Sequence, residues 1–416
     1  MTTSTVWDAA ARRIPSGPTG LGTSAAQFVH ELLARPASSG EVVDTAQDAA
    51  RRAPVDAPRE SLEIPPIWCP LPVQPRDGGI VFQHRSEDFF RRMGFDGTTV
   101  RSTPDMCTGE LARMWAPHGD TEGVQLLSDW LMWALLFDDY YCDDGPIARD
   151  PTAFNHLAAN LMDFVMNPRR AALGLEDFDA FAASLTDILA RVRRRASSEH
   201  VLQCALSHYS WMLGAACGVS DRSGRYMRSV DEHLIARPPD GGSLPAFYLT
   251  EAAEGTCLDA DTRDRPDVQA FTAAAGALLT VPTDVASFAR ERDQRSLESN
   301  LVEIIAVQNK CSRQEAVYLS CALLEEVMEL FVTLKGVLSR GATPALHRYL
   351  EQLSNIVSGT IEWQRRLPRY AKSIDAAPHR VSPGRLSDAP IHEVSERRLF
   401  SRVEPPPAIR WWWEFI

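Results

Sequence analysis

The sequence lacks several features that usually announce a function. It has no excess of positive charge: 43 Lys and Arg stand against 55 Asp and Glu, a formal net charge of −12. A nucleic-acid binder needs a basic surface to displace counterions from phosphates, so that class is excluded. Nowhere do about 18 apolar residues run together, so no membrane span is expected. The opening residues MTTSTVWDAAARR carry no positively charged start followed by an apolar run, which argues against a secretory signal and for a cytoplasmic protein. Eight Cys are scattered without a C-x-x-C pair, the pattern of reduced, mostly buried thiols rather than of a disulfide frame or a zinc site. Only three Lys occur, at 310, 335 and 372, which reflects composition rather than chemistry. Alternating strand patterns are almost absent, and no internal repeat is visible.

What is present points to a large helical core. An apolar fraction of 44% excludes wholesale disorder. Residues 1–60 are rich in Ala, Arg, Ser, Pro and Gly and read as a disordered extension. Within it, Gly17-Pro18-Thr19-Gly20-Leu21-Gly22 looks like a phosphate loop only superficially, because no buried strand precedes it. From Ile64 onward the pattern becomes helical. Phe178, Phe181, Leu185, Ile188, Leu189 and Val192 share one helix face, and 121–141 is apolar nearly all round, as a helix inside a bundle would be. Further helices are predicted over 198–217, 225–236, 266–294, 313–339 and 343–367. Together they predict an all-α bundle over 61–380, one domain rather than two. Residues 381–416 read as a Pro- and Trp-rich tail. Its last six residues hold four aromatics, which are expected to dock on this protein, on a second subunit or on something else.

Two acidic clusters carry the chemistry. The apolar helix ends in Phe137-Asp138-Asp139-Tyr140-Tyr141-Cys142-Asp143-Asp144. Carboxylates gathered there are costly unless a cation sits among them, and they oppose the helix dipole. Asp139 and Asp143 are one helical turn apart and Asp138 adjoins, so several oxygens can converge; oxygen-only ligands suit Mg²⁺. In the second cluster Thr283, Ser287 and Glu291 are spaced i, i+4, i+8, which puts hydroxyl, hydroxyl and carboxylate in one row about 6 Å per step apart. Asp284 lies beside the row and is counted with it as a metal-site residue. An aspartate-rich segment facing such a row would cradle Mg²⁺ ions for a diphosphate.

These two motifs, about 145 residues apart, resemble the DDxxxD and N-D-x-x-S-x-x-x-E motifs of class I terpene cyclases. The resemblance covers about 61–371 and implies an all-α class I terpenoid synthase bundle around a central cavity. It implies further residues. Arg237, 46 positions before Thr283, looks like the diphosphate sensor, followed by Asp240 as linker and Gly241 as effector in a helix break that Pro238, Pro239, Gly241 and Gly242 would enforce. Arg290 matches a basic diphosphate contact, and Arg369-Tyr370 a terminal pair that donates to the diphosphate. Three Mg²⁺ are implied, held by Asp138, Asp139 or Asp143 and by Thr283, Ser287 and Glu291. Thr283 departs from the usual Asn and has a shorter reach.

Within the family, 2-methylisoborneol-type synthases are similar in their Pro/Gly-rich extension and in Tyr140-Tyr141-Cys142-Asp143. That similarity implies 2-methylgeranyl diphosphate as substrate, a C11 bornane-type product and a partner methyltransferase in the pathway; the alternative is a sesquiterpene cyclase acting on farnesyl diphosphate, to which Asp240 is more typical. A homodimer is allowed. Trp133, Phe137, Trp211, Phe247 and Trp363 are candidates for facing a carbocation. Rival readings are a chain-elongating prenyl diphosphate synthase, which would need a second DDxxD, and a non-catalytic helical binding protein. A class II cyclase is excluded because no DxDD occurs.

Overall fold

The computed structural model describes residues 62–143, 145–167, 169, 176–367, 394–395 and 397–416. The N-terminal extension, Arg369 and Tyr370 lie outside the described residues. Fifteen α-helices are present among those described, besides shorter 3₁₀ and π turns, with one two-stranded parallel pairing, β1 (Ile67–Trp68) with β2 (Val394–Ser395). The first helices are α1 (Gly79–Arg92), α2 (Gly97–Ser102), α3 (Thr108–Trp115) and α4 (Thr121–Phe137). They are followed by α5 (Pro151–Met166), α6 (Glu176–Val192), α7 (Ser198–Gly224), α8 (Val230–Asp240) and α9 (Ser243–Glu254). The series ends with α10 (Ala260–Arg263), α11 (Pro266–Thr280), α12 (Pro282–Asp293), α13 (Leu301–Asn309), α14 (Arg313–Leu338) and α15 (Pro344–Arg366).

The pattern of α4 explains its position. Asp120 caps its start by accepting from the Gly123 amide, and its apolar residues face every direction, so it can be satisfied only inside the bundle. It packs against α1, α3, α6 and α9. Trp133 and Phe137 are completely buried, with their rings stacked 5.0 Å apart. Each such side chain contributes about 1.5–3 kcal/mol through burial. α11 is the other inner helix, packed on α8, α14 and α15.

Several helix boundaries differ from the sequence reading; the helix predicted over 198–217, for one, runs on to Gly224. The predicted helix over 266–294 is two helices, divided at Val281-Pro282, because Pro282 cannot donate to the preceding turn and clashes with it. By length and composition, 266–293 could cross a membrane, but most of it is buried inside the bundle. The predicted 225–236 helix instead starts at Val230: Arg225 turns left-handed and closes α7, and Ser229 with Glu232 forms a capping box that opens α8. Finally, α8 runs through Pro238 and Pro239 and stops at Asp240. The break falls on the glycines. Gly242 has a φ of 67°, and a Cβ on Gly241 would meet Thr280 Cγ2 at 2.4 Å.

The C-terminal segment is ordered against the bundle. After β2 it crosses α14, then ends in a 3₁₀ turn, Arg410–Phe415, packed on α11 and α14. Ile409 and Trp412 are buried there, whereas Trp411 stays partly exposed.

Candidate active site

The cleft has two adjoining chambers. One is acidic and is lined among others by Asp138, Asp143, Arg222, Arg237, Asp240, Thr283, Asp284, Ser287, Arg290 and Glu291. The other is mostly apolar, lined among others by Leu111, Trp115, Trp130, Trp211, Gly241 and Trp363. Asp138, Arg237, Asp240 and Thr283 line both, so they mark the seam between them.

The first acidic motif sits on a π-turn, Asp138–Asp143, that continues α4. An α-helix advances about 100° per residue, which would turn Asp143 well away from Asp138. A π-turn is wider, at roughly 4.4 residues per turn, so Asp143 falls between Asp138 and Asp139 around the axis. Across the cleft, Arg290 Nη2 stands 3.7 Å from Asp139 Oδ1 and 4.0 Å from Asp143 Oδ2. The residue read as a diphosphate contact therefore bridges the two motifs.

The second row lies on α12. Ser287 Oγ donates to the Thr283 carbonyl at 2.7 Å and also meets Glu291 Oε1. The other Glu291 oxygen accepts from Asn300 Nδ2 at 2.9 Å. Burial, and then the nearby Asp284 charge, push the Glu291 carboxyl up to about 7. Thr283 Oγ1 is turned back onto the Thr280 carbonyl and lies 3.4 Å from Arg237 Nη2.

Asp284 does not belong to the row. It is one position, hence about 100°, round the helix from Thr283. Its side chain is buried, and its oxygens accept from His233 Nε2 at 2.6 Å, Arg237 Nε at 2.9 Å and the Leu301 amide at 3.1 Å. Burial would raise its pKa, but Arg237 and His233 outweigh that and hold it below the ordinary value. Asp284 is an anchor for Arg237, not a free ligand. Asp240 Oδ2 lies 3.9 Å from both Arg237 Nη1 and Arg228 Nη1.

Several of these residues escaped the sequence reading. Asn300 caps α13 and ties Glu291 to the Asp284 carbonyl. His233, Arg228 and Arg222 also escaped it; Arg222 donates to the Cys142 and Ala148 carbonyls behind the π-turn. Of the aromatics predicted to face a substrate, Trp211 and Trp363 line the apolar chamber. Trp133 and Phe137 belong to the core, and Phe247 faces a different cavity. Trp115 and Trp130 line the chamber instead.

The donor set fits a hard cation. Asp138, Asp139, Asp143, Thr283, Ser287 and Glu291 offer only oxygen; all but Asp139 line the acidic chamber, and Asp139 stands 3.7 Å from Arg290, which does. Among the described residues, a different group, His200, Glu251 and Cys257, also lies within metal-binding range of itself. Both Glu251 oxygens are already taken by Arg263 and the Leu258 amide, so that group is a buried ion pair.

Comparison with known proteins agrees with this geometry. Residues 129–329 match the family model described as terpene synthase family 2, C-terminal metal binding. Spiroviolene synthase of Streptomyces violens is 26% identical over 362 residues, covering 85% of this chain and 97% of the relative. The (2E,6E)-farnesyl diphosphate cyclizing 4-epi-cubebol synthase of Streptosporangium roseum is 25% identical, covering 74% of this chain and 92% of the relative. A crystal structure of a variant of SVS_A2, a protein from ancestral sequence reconstruction, superposes with a TM-score of 0.70 at 25% identity over 85% of this chain and 99% of that one. The chain is similar in sequence and fold to bacterial class I terpene cyclases, and the family match spans its metal-binding region. It is a lyase that acts on prenyl diphosphates. None of these three relatives bears specifically on the 2-methylisoborneol branch.

Proposed function

We propose that the acidic chamber takes the diphosphate of an allylic prenyl diphosphate and the apolar chamber its hydrocarbon chain. The observation that carries this is the seam, where Asp138, Arg237, Asp240 and Thr283 belong to both chambers and so lie where the ester oxygen of an amphiphilic substrate would sit. Three Mg²⁺ would be held by Asp138, Asp139 or Asp143 on one side and by Thr283, Ser287 and Glu291 on the other. When bound, they supply Lewis-acid neutralisation of the leaving diphosphate.

The chain's own residues do the rest. Arg237 is fixed by Asp284 through its Nε, which leaves its terminal nitrogens near the chamber to donate to phosphate oxygens. Arg290 stands between the two carboxylate groups, ready to exchange them for the diphosphate. Arg369 and Tyr370 are proposed to add donors. Trp115, Trp130, Trp211 and Trp363 exclude water from the hydrocarbon end and present ring faces, each worth about 0.5–2 kcal/mol to a nearby cation. The Gly241 backbone reaches the same chamber, consistent with an orienting role.

For the substrate, farnesyl diphosphate is the first choice, supported by the relatives named as cyclising it and by Asp240. A relative named as a diterpene cyclase makes the C20 homologue the second. The C11 reading, with its methyltransferase, rests on the sequence resemblance alone. Incubation with Mg²⁺ and each of geranyl, 2-methylgeranyl, farnesyl and geranylgeranyl diphosphate, followed by gas chromatography of the extract, separates these. Farnesyl diphosphate should give a cyclic hydrocarbon or alcohol. No product from any of the four would overturn the reading.

A further inference from the structure

The C-terminal segment does more than cover apolar surface. On α14, Glu325 and Glu326 are buried carboxylates whose hydrogen bonds go to this segment. Glu325 accepts from the Leu399 and Phe400 amides at 2.8 and 3.0 Å, and Glu326 from the Val403 amide at 3.2 Å. Arg398 pairs with Glu325, Glu326 and Glu329, and Arg402 with Glu329. Beyond this clasp the chain reaches a second helix, where the Ala408 amide donates to Asp231 Oδ1 at 2.8 Å in the first turn of α8. Ile409 and Trp412 are buried immediately afterwards.

α8 is the helix that carries Arg237, and its last turn is weakly held by its own backbone. Pro238 and Pro239 have no N–H, so the carbonyls of Leu234 and Ile235 lose their intrahelical partners. Behind that turn lies a cavity of about 480 Å³, with Leu234, Pro238 and Pro239 on one side and Ala408, Ile409 and Trp412 on the other. α7 and α11 pack along α8, and His233 ties its middle to Asp284, but its cavity-facing last turn is less closely packed. Towards its two ends it is further tied by Arg237 on Asp284 and by Asp231 on the C-terminal segment.

We infer that residues 398–416 form a brace that holds α8, through Asp231, Ile409 and Trp412, in the orientation that presents Arg237 to a diphosphate. The inference rests on the site reading above. Asp231, Ile409 and Trp412 are positioning residues, since none of them lines either chamber of the cleft.

The test is calorimetric titration of full-length protein with inorganic diphosphate in the presence of Mg²⁺. Deleting 404–416, or Asp231→Ala, should raise the Kd about tenfold. Asp231→Asn keeps an oxygen for the Ala408 amide and should stay within about twofold of the wild type; it also separates the brace from the helix-dipole effect of the Asp231 charge. In an Arg237→Gln background the deletion should add nothing, because the brace acts through Arg237. A lowered melting temperature with unchanged Kd, or a deletion effect that is fully additive with Arg237→Gln, would mean plain packing and overturn the brace. The Asp231 pair carries the test alone if the deletion folds poorly. Failure of the wild type to bind would instead overturn the site reading, and the brace with it.

Discussion

The two oxygen-bearing rows of the cleft are built differently. On the π-turn, Asp139 and Asp143 are about one-third exposed, at 31% and 38%, and meet Arg290 only at ion-pair distance. On α12, Ser287 and Glu291 are hydrogen-bonded to each other, and Glu291 is tied to Asn300. One side is more exposed to solvent and the other is hydrogen-bonded in advance. A wired site loses little freedom when a cation arrives, while a more exposed one can follow the shape of what it binds. The rigid row should therefore set metal affinity, and the π-turn should respond to the diphosphate.

The sharpest way to break this contrast is at Glu291. Glu291→Gln should lower turnover about a thousandfold or more by removing a charged ligand from the wired row, with the helical circular dichroism unchanged. Asp138→Asn should cost nearly as much, about a hundredfold or more, measured by release of diphosphate. If Asp138→Asn leaves turnover unchanged, the metal assignment of the π-turn is wrong. Asn300→Ala comes next. It leaves the Asp284 carbonyl and a Glu291 oxygen without their donor and should destabilise the protein by about 1–3 kcal/mol in denaturant titration. It should also weaken Mg²⁺ binding, whereas truncations around Asp139 should not change stability.

The Glu291 proton gives a pH-dependent version of the same test. Its value near 7, against an ordinary 4.5, means that the folded metal-free protein keeps a proton that the unfolded chain releases between those pH values. The unfolded chain binds fewer protons there, so this group's contribution to stability falls as pH rises through the window. Metal needs the ionised carboxylate, so the half-saturating Mg²⁺ concentration should climb as pH drops from about 8 to about 6. A flat dependence would remove Glu291 from the ligand set. The smallest effect is expected at Thr283: Thr283→Asn gives the row a longer oxygen arm and should lower the half-saturating Mg²⁺ a few-fold; a rise would show that the hydroxyl suits this site.

The same contrast explains what could be read from the sequence. Asp138, Asp139 and Asp143 were legible because acids at the end of an all-apolar helix are anomalous. Thr283, Ser287 and Glu291 were legible because helical spacing alone aligns them. Asn300 and His233 were not legible, since each acts on α12 from another element and nothing local marks it. The anchoring of Asp284 was not legible for the same reason: its partners His233 and Arg237 are 51 and 47 positions away. The all-α class followed from periodicity, but a helix apolar on every side cannot announce which side borders a cavity. Hence Trp133 and Phe137 were taken for chamber walls, although Trp130 is the one on α4. The helix break was assigned to Pro238, Pro239, Gly241 and Gly242 together; the helix runs through both prolines, and the left-handed Gly242 marks where it ends.

The π-turn at 138–143 also makes the chain's local length part of its chemistry. Three residues stand between Asp139 and Asp143, and the wide turn needs all of them to bring the last acid back between the first two. Wound as an ordinary α-helix, the same six residues would conserve every acid in composition yet swing the third carboxylate to about 140° from Asp138, whereas deleting Tyr140 or Tyr141 from that ladder would return it to about 40°, between the first two. For this motif, counting residues between acids is equivalent to measuring an angle.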